Sequence, residues 1–140
     1  MDQELQKLWK ELLRNKPQIL SDTPDVYLDF VLEDELLFIL LKNNSPYPAL
    51  HVRVSFSQPI PGLGGTKKIH AINLFNQLSY FAPEREFRVY VDKIEVFLAG
   101  LRRSEILVEI KYQSEEGRVF QKRIVHDLDI YRDLPMISKQ

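Results

Sequence analysis

The apolar residues of the first sixteen positions are Leu5, Leu8, Trp9, Leu12 and Leu13, a spacing of 0, 3, 4, 7 and 8 that places all five on one helical stripe. Gln6, Lys7, Lys10, Glu11 and Arg14 take the opposite face. Asp2 can cap the N-terminus, Glu4 suits the first turn, and Pro17 disfavours helix at Lys16. The pattern predicts an amphipathic helix over 1–16, followed by a linker over 17–24.

From residue 25 the period changes from 3.6 to 2. Val26, Leu28, Phe30 and Leu32 alternate with Tyr27, Asp29, Val31 and Glu33, and an Asp34-Glu35 turn leads into Leu36–Leu41, a run apolar on both faces. Leu50, Val52, Val54 and Phe56 mark a third strand that ends by Pro59. Residues 58–68, with two prolines and three glycines, read as a loop. Residues 69–82 fit neither period and are read as a short strand or helical turn, with a turn at Ala82-Pro83-Glu84. Phe87, Val89 and Val91 define one further strand, and Ile106, Val108, Ile110 and Tyr112 another. Ser114–Gly117 has the composition of a hairpin turn with its glycine in the left-handed position. A last, less regular strand runs from Arg118 to about Tyr131, with Phe120, Ile124, Leu128 and Ile130 on one side and room for a bulge. Six or seven short strands with no helix between them predict an antiparallel β-sandwich over 25–134 and a tail over 135–140.

The doubly apolar run gives the N-terminal helix a destination. Leu37, Ile39 and Leu41, with Val31 beside them, are expected on the outer face of a sheet. Five large apolar side chains, worth about 1.5–3 kcal/mol each when buried, will not stay in water. Leu5, Leu8, Trp9, Leu12 and Leu13 are therefore the candidate interaction surface. The helix can cover its own sheet, pair with a second subunit, or meet another protein or a membrane. Four basic against three acidic residues make it weakly suited to lipid. A monomer and a homodimer both remain open.

The middle of the chain resembles a known family. Asn44-Ser45-Pro46-Tyr47-Pro48-Ala49-Leu50-His51-Val52-Arg53-Val54, followed by Leu78-Ser79-Tyr80-Phe81-Ala82-Pro83-Glu84-Arg85-Glu86, is similar to the N-x-G-x-x-P-A-x-x-V-x-V … L-A-P-G-E pattern of bacterial Ig-like or fibronectin-III-like domains, best known from cell-adhesion modules. The ending Tyr112…Gly117…Phe120…Asp127-Leu128…Tyr131 resembles hairpins that close such domains in uncharacterised prokaryotic proteins. The sequence departs from the pattern at Pro46 and Glu84, where glycine is usual, and lacks the expected export signal. Turn and core residues carry the likeness, so it implies an Ig-like fold and no active site.

Composition narrows the chemistry further. Nineteen basic against twenty acidic residues among 140 leave a net charge of −1, so no global field favours nucleic acid or an anionic membrane. With no cysteine there is no thiol catalysis and no inter-sheet disulfide. The longest apolar run, Leu36–Leu41, is far short of the roughly twenty residues a membrane span needs, and the charged N-terminus is no signal peptide. A cytoplasmic protein is expected, unless the chain is a piece of a larger membrane or exported one.

No constellation of catalytic or metal-binding type emerges, and no cofactor is expected. His126-Asp127-Leu128-Asp129 is the nearest approach, but on a strand His126 points away from the two carboxylates. His51 and His70 stand on separate segments. Gly62–Lys68 lacks the spacing of a phosphate loop. Lys67-Lys68, Arg102-Arg103 and Lys122-Arg123 are basic pairs beside acidic residues, better read as solvated surface than as a nucleic-acid site. The leading expectation is a non-catalytic protein-interaction or structural module. The alternatives are an enzyme or small-ligand domain with a site assembled from loops 58–68 and 99–104, or a weak nucleic-acid or membrane-surface binder.

Overall fold

A computed structural model describes residues 3–7 and 23–136. Residues 3–7 are helical, with Leu5 49% exposed. Leu8, Trp9, Leu12 and Leu13, most of the expected 17–24 linker and the tail beyond residue 136 lie outside the described residues. No described helix is long and apolar enough to cross a membrane.

The chain is mainly β and its sheets are antiparallel. Strand β1 (Val26–Glu33) pairs with β2 (Leu36–Asn43), and β2 with β7 (Glu86–Lys93). The second sheet runs in the order β6 (Leu78–Phe81), β3 (Ala49–Phe56), β8 (Glu105–Gln113), β9 (Val119–Asp127). A two-stranded ladder joins β4 (Pro61–Gly62) to β5 (Lys67–Lys68). One apolar cluster fills the space between the two larger sheets, drawing on Leu28, Phe30, Leu37, Ile39 and Leu41 from one and Val52, Val54, Ile106, Val108 and Ile110 from the other.

Hairpin geometry assigns the faces. Asp34 and Glu35 form a two-residue turn with φ of 50° and 66°, both positive, which matches the right-handed twist of the flanking strands. That turn sets Glu33 opposite Leu36, and hence Leu32 opposite Leu37, Phe30 opposite Ile39 and Leu28 opposite Leu41. Directly opposed residues share a face. Leu37, Ile39 and Leu41 therefore join the core, each fully buried, and not the outer face expected for them. The outer positions belong to the other set, half-buried Leu36, Phe38 and Leu40, with Val31 beside them. Phe38 meets Tyr90 edge-on at 5.5 Å, and the Arg88 guanidinium lies 5.1 Å from the Phe38 ring centre.

Other expectations are corrected by local chemistry. The 69–82 stretch contains both alternatives in series: a 3-10 turn at Ile69–Ala71, one helical turn at Asn73–Asn76, then β6. A helix at Ile94–Gly100 interrupts the strands, with Ile94 and Phe97 buried one turn apart. The last strand stops at Asp127, and two 3-10 turns, separated by a kink at Asp133, occupy Leu128–Met136. Leu128 is buried there while Ile130 is 56% exposed, so they do not share one strand face. The 58–68 loop is partly ordered into the β4–β5 ladder. Gly62 is needed there, because a Cβ would come within 2.6 Å of the Ile69 side chain and 2.8 Å of the Val91 carbonyl oxygen.

Asn43, fully buried at the end of β2, ties two turns together. Its Nδ2 donates to the carbonyls of Tyr47 at 2.7 Å, Phe81 at 3.2 Å and Ala82 at 3.3 Å, and its Oδ1 accepts from the Ser45 hydroxyl at 2.8 Å. Replacing Asn43 with leucine strands these carbonyls without partners. Asn43→Leu is expected to lower stability by about 2–4 kcal/mol in urea unfolding, with the m-value unchanged.

Candidate functional site

The edge strands β1 and β9 of the two sheets face each other. Side chains close the lower part of the gap between them. His126 Nδ1 stands 3.8 Å from Asp29 Oδ1 and its ring meets Phe30 edge-on at 5.1 Å, while the Tyr131 hydroxyl donates to the Phe30 carbonyl at 3.0 Å. At the upper end, where β1 begins and β8 turns into β9, a cleft of about 540 Å³ remains. That volume lies within the roughly 300–1,000 Å³ of ligand pockets.

The cleft is built from three stretches of sequence. The β8–β9 hairpin supplies the floor: Tyr112 and Phe120 are cross-strand partners, and their rings stack at 5.3 Å with 19° between planes. Gly117, at a φ of 86°, lets this hairpin turn, and buried Ser114 closes it by accepting from the Arg118 amide at 3.2 Å. The β2–β3 turn contributes Asn44, Pro46 and Tyr47, held by Asn43 and Ser45. The approach to β1 adds Pro24 and Asp25. Lys122 bridges the wall to Asp25 as an ion pair and lies 6.0 Å from the Tyr112 ring centre.

Its polar groups divide into satisfied and free ones. The Tyr112 hydroxyl donates to the Pro24 carbonyl at 3.3 Å, and burial, partly offset by the Lys122 charge, raises the phenol above its ordinary range. The Asn44 backbone amide donates to the Asp25 carbonyl at 2.7 Å, while the Asn44 side-chain carboxamide and the Tyr47 hydroxyl have no hydrogen-bond partner among the described residues. An aromatic, proline-lined cavity with a few polar groups is suited to holding a ligand.

A second cleft, of about 730 Å³, joins the two loops singled out for an assembled site. Gln58 Nε2 donates to the carbonyls of Arg103 at 2.8 Å and Glu105 at 3.2 Å, and its Oε1 accepts from the Arg103 amide at 3.3 Å. Arg102, Arg103 and the exposed cross-strand pair Leu107 and Val125 line it. The basic pairs do not gather: Lys122 belongs to the first cleft, the Arg102-Arg103 pair to the second, and Lys67-Lys68 to the β4–β5 ladder.

The histidine and glycine motifs have structural work. Asp127 accepts from the Asp129 amide at 3.0 Å and so starts the 3-10 segment, while Asp129 pairs with Arg132. His70 Nδ1 accepts from the Ile60 amide at 2.9 Å. His51 is an exposed residue at an irregularity in β3, with a φ of 52°. The Gly64 amide, which a phosphate loop would aim at an anion, donates to Asp92 Oδ2 at 2.8 Å. Among the described residues no group of three or more His, Asp or Glu side chains could hold a metal ion.

His126 carries a cost. Its Nε2 is buried with no hydrogen-bond partner among the described residues, and burial lowers the imidazole below its ordinary 6.5 despite the Asp29 carboxylate. Just below that pH the unfolded chain binds a proton that the folded one refuses, so stability falls with falling pH until the folded value is reached. Urea midpoints are expected to drop between pH 7.5 and 5.5, and the His126→Gln variant to lose this part of the slope.

The family model described as "Domain of unknown function (DUF8453)" matches residues 6–132. No curated protein matches the chain. Similar solved structures include wild-type OgpA from Akkermansia muciniphila, at a TM-score of 0.36 and 17% identity over 78% of this chain and 30% of that one. Catalytically inactive OgpA in complex with an O-glycopeptide (glycodrosocin) substrate gives a TM-score of 0.35 at 17% identity, over 81% and 31% of the two chains. The chain thus spans less than a third of the length of either.

Proposed function

The chain belongs to the DUF8453 family, a family of domains of unknown function, and for this member we propose a non-catalytic protein-interaction module that takes its partner in the aromatic cleft. The carrying observation is the cleft itself: stacked Tyr112 and Phe120 with Tyr47 and Pro46 at the rim, walled by a Lys122–Asp25 pair that leaves no net charge. Aromatic side chains supply much of the energy at protein interfaces, and a preformed cavity spares the ordering cost of making one. The strand orders 1-2-7 and 6-3-8-9 support the finer reading of an Ig-like or fibronectin-III-like sandwich.

Tyr47 is the residue to change, because its backbone carbonyl, and not its ring, accepts the hydrogen bonds of the turn. A pull-down from native lysate with wild-type bait is expected to retain a protein that Tyr47→Ala bait, equally stable by thermal melting, loses. Identical captures by both baits would defeat the cleft as the interaction site.

A second surface has its own observation. Leu36, Phe38 and Leu40 form an outward apolar row on β2, and no described element is paired over it. We propose that the amphipathic segment bearing Leu5, Leu8, Trp9, Leu12 and Leu13 covers this row, in the same subunit or a second one. Leu8→Asp with Leu12→Asp, and separately Phe38→Asp, are expected to lower the melting temperature of a monomer alike, or to halve the mass of a dimer alike. Unchanged melting and mass would refute both forms.

A further inference from the structure

The chemistry of the cleft wall narrows the partner. Lys122 and Asp25 are spent on each other, and the Arg118 guanidinium lies 5.9 Å from the Phe120 ring centre, so the charge left beside the cleft floor is a cation. Hydrogen-bonding capacity remains at the Asn44 side-chain carboxamide, the Tyr47 hydroxyl and the Lys122 ammonium, which holds three protons and shares one with Asp25. The ammonium can only donate, and the other two groups donate as readily as they accept. The fitting ligand is therefore rich in acceptors, carries no cation to oppose Arg118, and can lay flat apolar rings against Tyr47 and Phe120.

We propose that the cleft binds an extended, proline-rich segment of a protein partner. This rests on the interaction-module reading above and supplies its ligand class. A prolyl residue has a carbonyl acceptor and no N–H, so it takes bonds from Asn44, Tyr47 and Lys122 and brings no donor of its own to be stranded in an apolar cleft. A polyproline II helix makes no internal hydrogen bonds, which leaves every carbonyl available, and its ordering cost is low because proline fixes φ in the free peptide. Its pyrrolidine rings pack on aromatic faces and edges, the arrangement in which proline-rich peptides are recognised. Pro24 and Pro46 make the walls rigid, and the turn carrying Asn44 and Tyr47 is fixed beneath by Asn43, so the donors are placed before the ligand arrives.

The test is a titration of the ¹⁵N-labelled full chain with decaproline, a Gly-Ser decapeptide and chitotriose, followed by amide chemical shifts. Decaproline is expected to shift Asn44, Ser45, Tyr47 and Phe120–Lys122 saturably, while the Gly-Ser peptide shifts none of them. Tyr47→Ala and Phe120→Ala should each weaken decaproline at least about tenfold, as the loss of one hot-spot ring does. Absence of these shifts, shifts elsewhere on the surface, or equal affinity in both variants overturns the proposal. Chitotriose shifting the same amides while decaproline does not would replace the peptide with a saccharide and leave the cleft as a binding site. If no probe binds and the Tyr47→Ala pull-down matches wild type, the interaction reading falls with it.

Discussion

Strand β2 is apolar on both faces, and the two-residue turn that joins it to β1 decides which set becomes core. With Glu33 opposite Leu36, every odd residue from 37 to 41 is forced onto the face that β1 turns inward with Leu28, Phe30 and Leu32. A slip of one residue would exchange the whole set. Because β2 is the central strand of its sheet, the same parity fixes the sharing of faces with β7 as far as the irregularity between Leu37 and Phe38. It also settles what the outer surface offers: a row of Leu36, Phe38 and Leu40 flanked by Arg88 and Glu33, which pair at 2.9 Å. Half exposed, that pair adds little stability, and its effect is to frame the row with charge.

The buried polar residues are concentrated where strands must turn. Asn43 and Ser45 organise the β2–β3 turn, Asp92 holds the glycine-rich loop through the Gly64 amide, and Ser114 closes the β8–β9 hairpin. Each takes up backbone groups that no ladder reaches, which is the condition for burying a polar side chain without loss. Two of these turns, the first and the last, also build the cleft. The site is thus made of parts the fold needs anyway, and its rigidity follows from theirs. His126 is the exception, with a buried nitrogen that finds no partner among the described residues.

Strands were legible wherever one face alone was apolar: β1, β3, β7 and β8 follow directly from alternation. The turns at Asp34-Glu35 and Ser114–Gly117 were legible from composition. Strand β2 is legible as a strand but its two apolar faces look alike, and only counting outward from the two-residue turn, which sets Ile39 opposite Phe30, tells the inner from the outer. The 94–100 helix had a signal as well, in Ile94, Phe97, Leu98 and Leu101 at helical spacing, hidden by its contiguity with the β7 alternation. The 3-10 segment after Asp127 was not visible, because Leu128 and Ile130 fit a strand as well as a turn until the Asp127 carboxylate is seen to accept from Asp129. Of the cleft, the sequence shows the parts separately, as linker at Pro24, turn at Asn44–Tyr47, strand at Tyr112 and Phe120 and a basic pair at Lys122-Arg123, and does not join them. Tyr112 and Phe120 stand eight residues apart, and register alone brings their rings together; Pro24 and Tyr112 meet only through the three-dimensional fold.

An open side is the ordinary liability of two sheets laid face to face, since edge strands present unpaired backbone groups. Here the lower half of the β1–β9 side is closed by Phe30, His126 and Tyr131, an aromatic and partly polar set that stacks and hydrogen-bonds across the gap. The upper half is treated differently. Lys122 and Asp25 reach across it as an ion pair, and Tyr112, itself buried, turns its hydroxyl to the Pro24 carbonyl, so Phe120 is the more open of the two floor rings. The space between the two tightly held turns gives up packing contacts that the lower half makes, and the ion pair and the Tyr112 hydrogen bond hold its walls in place without filling it.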